Sequence, residues 1–61
     1  MASQLPRVLI VDDHPVVRMG LKAVVEQAGR YEVVGEAGTP AEAMQAATRS
    51  RPDLMILDLM L

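Results

Sequence analysis

The patterned part of the chain begins with Val8-Leu9-Ile10-Val11, four apolar residues in a row that run directly into Asp12 and Asp13. Such a run leaves no face for water, so it predicts a strand over about residues 7–11 covered on both sides, as a central parallel strand is. Leu54-Met55-Ile56-Leu57, followed by Asp58, repeats the design and predicts another strand from residue 53 or 54. From Pro15 to Ala28 the spacing changes. Val17, Leu21, Val24 and Ala28 recur at helical intervals with Gly20 and Val25 beside them, which assigns Arg18, Lys22 and Glu26 to the outer face of an amphipathic helix. Pro15 suits the first turn, and Gly29 sits where a left-handed cap ends a helix. Tyr31 to about Ala37 predicts a strand whose Glu32 and Glu36 suit an edge position. In Thr39-Pro40-Ala41-Glu42, Thr39 can cap, Pro40 fits the first helical position and Glu42 can reach back to the Thr39 amide. The second helix then runs to about Arg49, with Ala43, Met44 and Ala47 inward, before Pro52.

Strand, helix, strand, helix, strand implies parallel strands joined by right-handed crossovers. With the second and third strands on either side of the first, the helices must cover opposite faces of the sheet. The expected fold is α/β, a doubly wound parallel sheet in the order 2-1-3. Ligands in such sheets bind beyond the carboxyl ends of the strands where the winding reverses. Here that point lies between the first and third strands, where Asp12, Asp13 and Asp58 would meet.

Composition changes this picture in one respect. A chain of 61 residues has room for one domain and buries only about 60% of its unfolded surface. Yet 51% of its residues are hydrophobic and its mean hydropathy is +0.21. The third strand, read as a free edge, carries no charge, and Val16, Met19 and Ala23 leave a spare apolar flank on the first helix. Both features lead us to expect a partial domain, with further strands and helices belonging after Leu61. A net charge of -2 gives no basic footprint for nucleic acid, and with no cysteine there is no disulfide or thiolate zinc site. No apolar stretch approaches the roughly 20 residues that span a bilayer, and residues 1–7 lack the pattern of a signal peptide. A soluble cytoplasmic protein is expected, with residues 1–6 as a disordered lead-in.

Three clustered carboxylates repel one another unless a pKa rises or a cation binds. A few carboxylates completed by water suit magnesium, whereas calcium usually recruits more protein oxygens. A carboxylate held beside such an ion can attack phosphorus and form an acyl phosphate. Plainer readings stand beside this one. Asp13 could cap the first helix, and Asp58 could merely end a strand. Gly35 and Gly38 read as turn residues, and Met44 and Met55 as core fillers.

These residues resemble a known family. Val8-Leu9-Ile10-Val11-Asp12-Asp13-His14-Pro15, then Arg18-x-Gly20-Leu21, and later Pro52-Asp53-Leu54 through Asp58-Leu59, look like the receiver domain of two-component response regulators. More closely, they are similar to the branch whose receivers precede a LuxR-type helix-turn-helix. The resemblance implies a flavodoxin-like receiver topology truncated after the third strand, with residues 7–61 a partial receiver domain. It implies that Asp58 is the phosphoacceptor and a histidine kinase the phosphodonor. Mg2+ would be held by Asp12, largely through water, by Asp13 and Asp58, and by the backbone carbonyl of Met60. The role is that of a regulatory phosphoacceptor, not an enzyme, and any DNA binding would belong to a domain outside this chain. The family's switch Ser or Thr and its lysine follow later strands that are absent here, and its usual proline would fall just past Leu61. Asp12-x-His14 also resembles the start of the cobalamin signature Asp-x-His-x-x-Gly, but Val17 stands in place of the glycine. His14 is therefore read as part of the helix start. A different-class alternative is a non-catalytic module that self-associates, or binds a partner, through its third strand.

Overall fold

The computed structural model describes residues 5–58. Its elements are β1 (Arg7–Val11), α1 (Pro15–Ala28), β2 (Glu32–Ala37), α2 (Pro40–Ser50) and β3 (Leu54–Leu57). The three strands form one parallel sheet in the expected order β2-β1-β3. Val8, Leu9 and Ile10, fully removed from solvent, are the centre of the core. Between Val8 and Leu9 the register on β2 skips from Val33 to Gly35, a bulge that resets which residues of β2 share a face.

Beyond the bulge the two faces of the sheet take one helix each. A Cβ on Gly35 would stand 3.1 Å from Leu9 Cδ1 and about van der Waals distance from Ala46 and Ser50, so this face belongs to α2. Its neighbour Glu36 faces the opposite way and meets Arg18 and Lys22 of α1. Gly35 is thus a strand residue, not the turn residue expected. Its missing side chain lets α2 approach closely, with Ala43 and Ala46 buried beneath it.

Helix α2 begins as its sequence indicates, with one difference. The Thr39 hydroxyl accepts the Glu42 amide at 3.1 Å, but the Glu42 carboxylate accepts the Gly38 amide at 2.8 Å instead of that of Thr39. The box therefore closes one residue earlier and also ties down the loop after β2. At the other end Arg51, in the left-handed region with φ 49°, donates its amide to the Ala47 carbonyl. The start of β3 is then clamped to β1. The Arg7 amide donates to Asp53 Oδ2 at 2.8 Å, and the Asp53 amide donates to the Arg7 carbonyl at 2.7 Å.

Two expectations about side-chain placement are corrected. The half-buried residues of α1 are Arg18, Leu21, Lys22 and Val25, whereas Val17 and Val24 are exposed. The helix is rotated from the orientation its apolar stripe suggests because Glu36 draws both cations to the sheet. Arg18 Nε lies 3.3 Å and Lys22 Nζ 3.2 Å from the Glu36 carboxylate. Neither is an outer-face residue. Met44 and Met55, expected in the core, are 74% and 43% exposed. Helix α2 packs on β1 and β2, and among the described residues neither helix packs on β3, so nothing covers these side chains. The expectation of an uncovered apolar third strand holds, since Leu54 and Leu57 are also exposed.

The glycines give a stability test. Gly35→Val pushes a branched side chain against Leu9 and should destabilise the chain by about 1–3 kcal/mol. Gly20→Ala meets no atom within 4 Å in mid-helix and should stabilise it by about 0.5–1 kcal/mol. Denaturant midpoints at constant m-value check both, and shifts of the same sign would contradict this packing.

Candidate functional site

The strand ends place the acids through backbone hydrogen bonds, before any side chain is considered. Asp12 follows β1 and donates its amide to the Ala37 carbonyl at 3.0 Å, while Asp58 follows β3 and donates to the Val11 carbonyl at 3.1 Å. The pairing of the sheet therefore continues into both acids and fixes their separation. Asp12, Asp13 and Asp58 line one crevice of about 610 Å³, whose remaining wall includes Val11, Met55 and Leu57. The acids stand at the carboxyl ends of β1 and β3, at the winding reversal, and the crevice extends from them between α2, at Ala43, Met44 and Ala47, and Met55 of β3.

The three carboxylates have different surroundings. Asp12 is 1% exposed. Its Oδ1 accepts the His14 backbone amide at 2.7 Å in a tight local turn. Its Oδ2 is buried and has no hydrogen-bond partner. The Asp12 carbonyl accepts Arg18 Nη1 at 2.9 Å, so α1 is fastened directly to the corner. The Arg18 tip has room because Gly38 lacks a Cβ, which would stand 2.7 Å from Nη1. Asp13 turns outward, and its Oδ1 contacts His14 Nδ1 at 2.7 Å.

Protonation separates Asp12 from Asp58. The His14 amide, ahead of the other influences, holds the Asp12 carboxyl below its ordinary value of 3.8 despite burial. The neighbouring Asp12 carboxyl pushes the Asp58 carboxyl upward from its ordinary value, reinforced by burial and by the charges of Asp12 and Asp13.

A divalent cation fits this chemistry, since it can offset the crowded carboxylate charge and give the unpartnered Asp12 oxygen a ligand bond. The structure thus brings together the three acids singled out in the sequence, while Met60 lies outside the described residues. Lys22 is held by Glu36, and Asp13 does not cap α1. The cap position is His14, which makes no side-chain cap hydrogen bond. Two residues at the corner escaped the sequence reading. His14 was visible as the third residue of Asp12-x-His14, but its contact with Asp13 depends on the turn. Arg18 sits one helical turn beyond His14, and only the rotation of α1 reveals its role.

Fold and acid corner together define a doubly wound α/β domain with its site at the strand ends. The chain belongs to the response regulator receiver domain family, whose model matches residues 8–61. It is 47% identical over 55 residues to a putative transcriptional regulator of Pseudomonas aeruginosa, covering 90% of this chain and 26% of that protein. It is also 47% identical over 55 residues to the DNA-binding transcriptional activator DevR/DosR of Mycobacterium tuberculosis, covering 90% of this chain and 25% of the relative. To the nitrate/nitrite response regulator protein NarL of Escherichia coli K12 it is 40% identical over 60 residues, covering 97% and 28%. The chain therefore spans about a quarter of the length of these relatives. They agree with the likeness to receivers of the LuxR-type branch. Among the described residues no helix is long and apolar enough to cross a membrane.

The two displaced carboxyls have opposite effects on stability. At pH below 3.8 Asp58 is protonated in both folded and unfolded chains and costs the fold nothing. As pH rises through that value the unfolded chain releases its proton first, so stability falls until the folded carboxyl has also titrated. Asp12 contributes stability above its ordinary value that is lost as pH falls through its lowered one. Asp58→Asn should therefore raise the unfolding midpoint of the metal-free chain at pH 7 and change it little near pH 3. Equal shifts at both pH values would contradict the raised Asp58 carboxyl.

Proposed function

We propose that this chain is the acceptor part of a receiver domain that takes a phosphoryl group onto Asp58 from a histidine kinase in a magnesium-dependent step. The observation that carries the reading is the buried, unpartnered Asp12 Oδ2 in the crevice it shares with Asp13 and Asp58, in a chain of the receiver family. Asp12, Asp13 and Asp58 hold the ion, with the Met60 backbone carbonyl as the further protein ligand that the family resemblance implies. Residues 7–61 are then a partial receiver domain preceded by a short lead-in.

In this reading an oxygen of the ionised Asp58 carboxylate attacks the phosphorus of a phosphohistidine. A P–O bond forms as the P–N bond breaks, and the imidazole leaves with the electron pair and takes up a proton. Magnesium, when bound, supplies the charge that offsets the carboxylates and the phosphoryl oxygens. Asp12 and Asp13 fix the place of that charge, and the backbone pairing of Asp58 with Val11 fixes the nucleophile. The product is an acyl phosphate that stays on the chain, so the role is regulatory. Its output is control of transcription in the cytoplasm through a DNA-binding domain outside these 61 residues. The exposed side chains of β3 fit the alternative of a self-associating module. Family membership and the acid corner do not favour it.

Incubation with acetyl phosphate and magnesium should label the protein on Asp58, with the label released by hydroxylamine. Asp58→Asn and chelation by EDTA should each abolish labelling. Undiminished labelling of Asp58→Asn would remove the assignment.

A further inference from the structure

His14 carries the one side chain at the acid corner that the phosphoacceptor reading leaves without a part. Its Nδ1 stands 2.7 Å from Asp13 Oδ1 and 3.4 Å from Asp12 Oδ1. One ligand atom from each of Asp12, Asp13 and His14 can be chosen so that all lie within 4.8 Å of one another. The turn that sends the His14 amide to Asp12 Oδ1 places the backbone, and the ring is held at the corner by its own contact with Asp13. Acids and a histidine on a surface are not in themselves a site. The independent sign of a ligand is Asp12 Oδ2, which belongs to a side chain with no exposure and has no hydrogen-bond partner.

The geometry points to His14 as a nitrogen ligand that turns this corner into a mixed oxygen–nitrogen site for a borderline divalent transition ion. The inference rests on the reading that the corner binds a divalent cation, and adds which ions it selects. Magnesium is hard and completes its shell with oxygen and water, so it gains little from an imidazole. Cobalt, nickel and zinc bind imidazole readily, and their affinity for such sites rises along the first transition row. Neighbouring ligand atoms on an ion with bonds of about 2.1 Å lie about 3 Å apart in an octahedron, so the Nδ1–Oδ1 contact needs to open by only a few tenths of an ångström. The ring is 47% exposed and has space to make that adjustment. His14 is then a specificity-determining residue for the ion, distinct from the acids that any divalent cation uses.

The test measures dissociation constants for Co2+ and Mg2+ in the intact protein by calorimetry, for wild type, His14→Ala and His14→Gln. Proton NMR follows the His14 ring in the wild type on addition of Co2+. In both variants Co2+ binding should weaken by about tenfold or more while Mg2+ binding holds, and Co2+ should shift the ring protons of His14. Equal weakening for both ions, no weakening for either, or unshifted ring protons would overturn the role of His14 and leave the cation site standing. Failure of the wild type to bind either ion would overturn the cation site and this inference together.

Discussion

A carboxylate with 1% exposure has to be answered by donors or by charge, and the corner of this fold is organised around that constraint at Asp12. The His14 amide meets one oxygen, and the other finds no protein donor. Asp58 nearby has its carboxyl pushed upward by this neighbour. The backbone at the same residue is held on two sides, by Ala37 at the amide and by Arg18 at the carbonyl. The buried acid thus sits where the turn into α1, the Arg18 anchor and the upward shift of the Asp58 carboxyl meet.

The framework of the fold was legible because long apolar runs and helix punctuation are local signals. Val8 to Val11 and Leu54 to Leu57 could not be amphipathic, and Pro15, Gly29, Pro40 and Pro52 bounded the helices. With β1 taken as the central strand, handedness put the helices on opposite faces and brought Asp12, Asp13 and Asp58 to the winding reversal. What escaped depended on partners distant in sequence. The apolar spacing of α1 gave no hint that Glu36 would draw Arg18 and Lys22 to the sheet. The bulge at Val34 made simple alternation along β2 unreliable, which is why Gly35 read as a turn residue when it is the seat of α2. Met44 and Met55 read as core fillers from their helical and strand spacing, yet among the described residues no helix packs on β3.

The core is built from few large side chains. Three residues of β1 fill its centre, and α2 contributes alanines because Gly35 lets the helix sit low on the sheet. Small residues at this contact exchange burial area for close approach, so stability is concentrated in β1 and its neighbours. Chemistry sits at the end of that same strand. The most deeply buried strand of the described chain therefore carries the most demanding group, which suits a site whose acids must keep their separation as charge enters and leaves.

The meeting of Arg18, Glu36 and Gly38 has a consequence for how such sequences can change. One guanidinium spans the Asp12 carbonyl and the Glu36 carboxylate and fills the volume that a side chain at position 38 would need. Loss of the arginine frees that volume and makes position 38 permissive, whereas a larger residue at 38 removes the reason to keep the arginine and strands the glutamate. The three positions form an epistatic unit in which the order of substitutions decides which are tolerated. Drift at the acid corner is therefore channelled through a few historical routes, although none of these three residues is one of the acids.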